Sequence, residues 1–232
     1  MQCVILAGGL ATRLGPLTEK VPKSMIAIKG KPFLEYQIDL LKKNDVDDIV
    51  LCIGHLGDQI ENYFGNGGRL GVNIKYSYET AHLLGTGGAI RNALDLLDDA
   101  FFVLYGDSYL DISYKNVFDC FLQKGYPALL VVYRNSNKWD RSNVVLKGDL
   151  VVLYDKERQT ADMEYIDYGL SVLSKSLVCE EIPQGMVFDL AQLYERLSLR
   201  GLLLGYQATN RFYETGSRQG LQEFEELVAD KT

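Results

Sequence analysis

The sequence predicts an α/β fold: a Rossmann-like, mostly parallel mixed sheet with helices on both faces, extended by a small β-rich lid. Three observations predict it. Short apolar runs and amphipathic helical stretches alternate at about 30-residue intervals through the first 135 residues. The apolar runs end in glycine or acidic residues, as buried parallel strands do where they empty into loops. Beyond about residue 136 the texture changes to short strands with a hairpin signal.

Each element has its own warrant. Cys3–Ala7 is an apolar run short enough for a buried strand. Pro32 stands where a first-turn proline is tolerated, ahead of the helical repeat Phe33, Tyr36, Leu40 and Leu41. Asp48–Ile53 is a second buried strand, and Leu56–Phe64 a short helix ended by the Gly65–Gly68 cluster. Val72–Tyr78 alternates as a strand, and Gly85 opens a helix expected to reach about Leu97. Ala100–Tyr105 is a strand stopped by Gly106-Asp107, Tyr114–Lys124 a helix, and Ala128–Tyr133 a strand. Val144–Leu146 and Leu150–Tyr154 flank Lys147-Gly148-Asp149, a hairpin signal. Tyr165–Leu173 and Leu202–Gln207 are strands, Phe212–Tyr213 ends one, and Asp189–Ser198 and Gln219–Ala229 are helices. One domain over 1–232 accommodates them, in two halves, 1–135 and 136–232. In open α/β sheets ligands bind beyond the carboxyl ends of the strands, so the loops after Ala7, Ile53, Tyr78 and Tyr105 should face one another.

Composition narrows the function classes. The chain has 232 residues and a net charge of −7, from 24 basic and 31 acidic residues. Without lysine and arginine clusters it is a poor general nucleic-acid binder. No apolar run approaches the ~20 residues that a membrane span needs. Cys3, Cys52, Cys120 and Cys179 lack metal-ligand spacing and are expected to be reduced thiols, which fits a cytoplasmic protein.

Several segments carry chemistry-bearing residues. Leu6-Ala7-Gly8-Gly9 is a strand ending in paired glycines, followed by Arg13 and by Lys23 after Pro22. Backbone N–H groups there could approach phosphate oxygens without a Cβ in the way, with two cations aimed at the same ligand. The loop matches neither a Walker loop nor Gly-x-Gly-x-x-Gly, and paired glycines also serve ordinary turns. Asp107, directly after a buried strand, suits Mg²⁺, which takes one or two carboxylates with phosphate oxygens and water; it also suits a cap or turn. Gly85, Thr86, Gly87 and Gly88 could let a flat ligand lie against backbone at a helix start, with Glu79 facing the same cleft. Glu214, next to Thr215-Gly216-Ser217, fits a second metal carboxylate or a capping arrangement by Ser217. Lys156 and the segment Asp167-Tyr168-Gly169 lie at strand ends, where surface decoration competes with a binding role. Nothing pairs His55 or His82 with a nucleophile or base.

The order of these segments resembles the sugar-1-phosphate nucleotidylyltransferase family over essentially the whole chain. The resemblance rests on Leu6-Ala7-Gly8-Gly9, Thr12-Arg13-Leu14, Pro22-Lys23, Gly30-Lys31-Pro32, Gly85–Ala89, Gly106-Asp107 and Glu214-Thr215-Gly216-Ser217. It implies a reaction in which a nucleoside triphosphate and a sugar 1-phosphate give a nucleotide-sugar and pyrophosphate. It also implies roles, with residues 1–135 as the nucleotide-binding half and 136–232 as the sugar-binding half and C-terminal helix. Leu6, Ala7, Gly8 and Gly9 would hold the nucleotide, with Glu79 and Gly85–Gly88 framing base and ribose. Arg13 would grip the β- and γ-phosphates and Lys23 the α-phosphate. Asp107 and Glu214 would bind Mg²⁺, Lys156 would neutralise the sugar phosphate, and Asp167, Tyr168 and Gly169 would touch the sugar. Two departures stand out: Glu214 replaces the usual Asp, and Ile166-Asp167-Tyr168-Gly169-Leu170 stands where many relatives have Asn-Ala-Gly.

Short relatives of this kind include heptose 1-phosphate guanylyltransferases and N-acetylmuramate 1-phosphate uridylyltransferases. The Tyr78–Ala89 segment is closer to the former, so GTP with a heptose or mannose-type sugar is the expectation. Two alternatives remain: a cytidylyltransferase for phosphocholine or a phosphonate, with an aromatic cage drawn from Tyr133, Trp139, Tyr165 and Tyr168, and a non-catalytic nucleotide-sugar-binding regulator. Relatives are often dimers or tetramers, so a homo-oligomer is compatible.

Overall fold

A computed structural model describes residues 1–9, 15, 20–79 and 82–230 of the chain. In chain order the strands are β1 Gln2–Leu6, β2 Ala27–Ile28, β3 Lys31–Pro32, β4 Asp48–Ile53, β5 Asn73–Tyr78, β6 Ala100–Tyr105, β7 Ser108–Tyr109 and β8 Ala128–Arg134. They continue with β9 Val144–Lys147, β10 Leu150–Tyr154, β11 Tyr165–Ser174, β12 Leu203–Ala208 and β13 Tyr213–Glu214. The helices are α1 Phe33–Lys43, α2 Gly57–Phe64, α3 Gly85–Asn92, α4 Tyr114–Lys124, α5 Lys175–Glu181, α6 Leu190–Leu199 and α7 Arg218–Asp230.

Nine strands form one sheet in the order β5-β4-β1-β6-β11-β8-β12-β10-β9. The first four are parallel. The chain moves outward from β1 through β4 to β5, then crosses back to lay β6 on the other side of β1. That reversal opens a crevice beyond the carboxyl ends of β1 and β6.

The order beyond β6 was not evident from the sequence. β8 follows β6 in the alternating series, yet β11 inserts antiparallel between them. β12 then pairs parallel with β8. The β-rich second half is thus built into the same sheet, and the expected 147–149 turn joins the edge hairpin β9–β10.

Period-two alternation divides the core. Cys3, Ile5, Ile49, Leu51, Phe102 and Leu104 face α1, α2 and α4 in one buried cluster. Val4, Val50, Phe101 and Val103 face α3, α5 and α6 in another. A third cluster packs Phe224 of α7 on Phe33 and Ile28. It brings the C-terminal helix to the β2–β3 hairpin and holds β13 near the crevice.

Two local differences from expectation have physical causes. α3 stops at Asn92, before a separate 3-10 turn at Leu94–Leu96. The Asn92 amide donates to Ser77 Oγ and the Tyr78 carbonyl, anchoring the helix end to β5. α5 was unforeseen because it is short and follows β11 without a break. Its cap is nonetheless visible: Ser174 Oγ accepts from the Leu177 amide at 3.3 Å.

Among the described residues no helix is long and apolar enough to cross a membrane. All four cysteines are free, and burial raises the thiol pKa of Cys3 and of Cys52 well above the ordinary range.

Candidate active site

The carboxyl ends of β1, β4, β5 and β6 converge as the topology requires. A cleft of about 330 Å³ is lined by Leu6, Ala7, Gly8 and Gly9, by Glu79, and by Tyr105, Gly106 and Asp107. Gly8 is a point of close approach. A Cβ there would stand 2.7 Å from Glu79 Oε2 and 3.1 Å from the Gly54 amide nitrogen, so only glycine brings the three loops together. Glu79 is held from the other side, where its Oε1 accepts from the Leu84 amide at 2.6 Å. Lys23, in a 3-10 turn at Lys23–Met25, also lines this cleft.

Burial raises the Glu79 carboxyl pKa above its ordinary 4.5, against the opposing effects of the Leu84 amide and His82. An acid with a raised pKa in the fold costs stability once the pH exceeds both its values, and the cost vanishes below about 4.5. Glu79→Gln should therefore melt higher than the parent at pH 7, with the gain shrinking as the pH falls towards 4.5. Thermal melts across that range would check this, and a constant difference would contradict it.

A second, larger cleft of about 810 Å³ lies beside the first. Its lining includes Lys156, Asp167, Tyr168, Gly169, Trp139, Arg211 and Glu214. Asp107 and Tyr105 line both clefts. At this seam the charged groups gather. Lys23 Nζ donates to Asp107 Oδ2 at 2.5 Å, with both side chains partly exposed. Glu214 reaches the same place because β13 pairs with β7, which sets Glu214 opposite Ser108. The Thr215 amide donates to the Asp107 carbonyl at 2.8 Å. Glu214 is fixed by the Gly216 amide on Oε2, at 2.5 Å, and by the Ser217 hydroxyl on Oε1. Gly216 packs under this cluster: a Cβ there would be 2.7 Å from both Glu214 Oε2 and Lys23 Nζ, and 3.2 Å from Asp107 Oδ2.

The donor set at the seam suits Mg²⁺. Two carboxylates converge, and no cluster of three or more acidic, histidine or cysteine side chains able to hold a metal occurs among the described residues. An ion on two carboxylates keeps sites for phosphate oxygens and water. The proposed capping role of Ser217 coexists with this. Its hydroxyl accepts from the Gly220 amide at 3.0 Å while donating to Glu214.

In the larger cleft, the Asp167 side chain is almost buried and Lys156 is exposed. Tyr154 donates its hydroxyl to Asp167 Oδ2 at 2.9 Å, and the Gly169 amide donates to Oδ1 at 2.9 Å. Lys156 Nζ is 3.9 Å from Asp167 Oδ2.

The structure redistributes some expected site residues. Arg13 lies outside the described residues. Gly87 and Gly88 do not line either cleft: both are buried and donate their amides to the Phe188 carbonyl, at 2.9 and 3.1 Å. The start of α3 thus packs against the 186–188 segment, and its glycines admit that backbone rather than a ligand. Gly85 and Thr86 do line the smaller cleft, although Thr86 Oγ1 also donates to Asp189 and accepts from the Leu190 amide. Tyr168 borders the larger cleft, but its side chain is in the core and its hydroxyl donates to the Asn210 carbonyl. Residues that sequence reasoning missed include Tyr105, Gly216 and Arg211. Tyr105 was the most accessible of these, since alternation along β6 places it on the face of Phe101 and Val103, just before Asp107.

Of the residues offered for an aromatic cage, Trp139 and Tyr168 line the larger cleft, whereas Tyr133 and Tyr165 line neither. The face of Trp139 carries the Arg211 guanidinium at 3.7 Å from the ring centroid, with Lys138 at 4.7 Å. Tyr133 and Tyr168 pack together with Phe212.

Comparison with known proteins agrees with this arrangement. The family model described as "Nucleotidyl transferase" matches residues 2–143. The D-glycero-alpha-D-manno-heptose 1-phosphate guanylyltransferase of Campylobacter jejuni is 34% identical over 76% of this chain and 77% of its own length. A UTP--glucose-1-phosphate uridylyltransferase of Synechocystis is 29% identical over 92% of this chain, which spans 59% of that relative. Among solved structures, HddC from Yersinia pseudotuberculosis complexed with GMP-PN superposes with a TM-score of 0.80 at 26% identity, covering 98% of this chain and 99% of that one. The chain belongs to the nucleotidyl transferase family and stands among its sugar-1-phosphate nucleotidyltransferases.

Proposed function

We propose that the protein transfers a nucleotidyl group from a nucleoside triphosphate to a sugar 1-phosphate, releasing pyrophosphate, with Mg²⁺ held by Asp107 and Glu214. The observation that carries this reading is the pair of clefts meeting at Tyr105 and Asp107, with Lys23 and Glu214 at their junction. One cleft takes the triphosphate and the other the acceptor, so the two phosphates meet where the charged groups gather.

The chemistry asks little covalent work of the protein. The sugar phosphate oxygen is itself the nucleophile, and its attack on the α-phosphorus expels pyrophosphate. The barrier lies in bringing one anion onto another, and it is lowered by positioning and charge neutralisation. Lys23 contributes a cation beside the α-phosphate, and Lys156 neutralises the acceptor phosphate. When bound, Mg²⁺ would supply further charge neutralisation and hold phosphate oxygens in line. Arg13, by the same reading, grips the terminal phosphates.

GTP with a D-glycero-D-manno-heptose or mannose-type 1-phosphate is the favoured substrate pair. Two relatives named as heptose 1-phosphate guanylyltransferases support it, the second, from Aneurinibacillus thermoaerophilus, matching over 93% of both chains at 29% identity. The product would serve cell-surface polysaccharide synthesis in the cytoplasm. A uridylyltransferase for N-acetylmuramate 1-phosphate is the second reading, since such an enzyme of Neisseria meningitidis is 40% identical over 51% of this chain.

The test is pyrophosphate release with Mg²⁺ over four nucleoside triphosphates and a panel of acceptors including heptose, mannose, glucose and N-acetylmuramate 1-phosphates, with phosphocholine. Strong turnover with GTP and heptose or mannose 1-phosphate is expected. Turnover confined to UTP and N-acetylmuramate 1-phosphate would establish the second reading, and nucleotide-sugar binding with no turnover anywhere would establish a regulator.

A further inference from the structure

Among the described residues, Tyr105 is the one large side chain common to both clefts. It borders both, and its hydroxyl is buried with no hydrogen-bond partner among the described residues. Its polar end therefore does not account for a tyrosine at this point. The ring faces are better employed: Lys156 Nζ stands 5.4 Å from the Tyr105 centroid and 6.0 Å from that of Tyr154. The oxygens of the neighbouring carboxylate, Asp167, already accept from the Tyr154 hydroxyl and the Gly169 amide. The contact between Lys156 and Asp167 is long, at 3.9 Å. No other ion pair to Lys156 occurs among the described residues.

From this we infer that Tyr105 is a positioning residue for Lys156: its ring face, together with Tyr154, holds the ammonium over the acceptor cleft while leaving its N–H donors free for an incoming phosphate. The ring attracts the cation without consuming a donor, which an ion pair at full contact would do. The inference rests on the reading of Lys156 as the residue that meets the acceptor phosphate.

The positioning can be read without activity. Reductive ¹³C-methylation keeps lysine charge and gives each lysine a resonance, with that of Lys156 identified by its absence in Lys156→Arg. In the parent protein and in Tyr105→Phe this resonance should be shifted upfield by the ring, and in Tyr105→Leu it should move back. A Lys156 resonance with no upfield shift in the parent protein overturns the inference, even if Tyr105→Leu fails to fold. In kinetics, Tyr105→Leu should raise the acceptor KM about three- to fivefold relative to Tyr105→Phe, as loss of a partly exposed cation–ring contact implies. Tyr105→Leu should add nothing in a Lys156→Gln background, because the two residues act as one unit. An equal effect in that background would overturn the inference. An upfield shift lost in Tyr105→Leu without any change in acceptor KM for Lys156→Gln would leave the positioning intact and overturn the acceptor reading of Lys156.

Discussion

Asp107→Ala and Lys23→Ala should each reduce kcat by about 10²-fold or more, as removal of one preorganised charge-stabilising group does elsewhere. Both should leave the fold intact, since both side chains are partly exposed at the edge of the sheet and outside the three core clusters. The two variants should differ in their metal response. Lys23 Nζ lies on Asp107 Oδ2, one of the oxygens a cation would use. Lys23→Ala frees that oxygen and should lower the Mg²⁺ concentration needed for half-maximal residual activity. Asp107→Ala removes a ligand and should raise it. Steady-state rates over a Mg²⁺ titration, with melts to confirm folding, measure both effects. Near-parental kcat in either variant would remove that residue from the proposed chemistry.

Gly216→Ala should be nearly as damaging, although it removes no functional group. The added methyl would meet Glu214 Oε2 and Lys23 Nζ at 2.7 Å, closer than real side chains pack, and Asp107 Oδ2 at 3.2 Å. Because Gly216 does not have a positive φ, alanine fits its backbone and the strain falls on the three charged side chains. A displacement of about an ångström in such a site is enough to lose roughly 10²-fold in rate. The expected result is a kcat lowered about 10²-fold with Tm close to the parent. An unchanged kcat would show that the three groups need not keep their present arrangement during turnover, and a collapsed Tm would show a structural role for the site instead.

Much of this architecture was legible in the chain. The buried runs Asp48–Ile53 and Ala100–Tyr105 and the helix Tyr114–Lys124 have the bounds expected of them, because burial on both faces or on one helical stripe leaves a periodic record. The convergence of the loops bearing Gly8, Glu79 and Asp107 followed from topology, since parallel strands must all deliver their carboxyl ends to one edge. The family resemblance likewise rested on residues that could be read in order.

Other features depend on pairs far apart in sequence. That β11 enters between β6 and β8 is a choice among strand pairings that apolar composition leaves open. Gly87 and Gly88 had the look of a ligand cradle, but a close approach by a glycine reads the same whether the visitor is a phosphate or, as here, the backbone of residues 186–188. Tyr168 looked equally suited to a sugar until its hydroxyl was found on the Asn210 carbonyl. Local periodicity and chain direction are enough to set the alternating elements, the edge of the sheet where the clefts open, and the residue types available there. The meeting of Asp107 and Glu214 at one seam through the β7–β13 pairing, and of Lys156 with the Tyr105 ring, emerges only in three dimensions, because those contacts join segments whose relative placement no local pattern encodes.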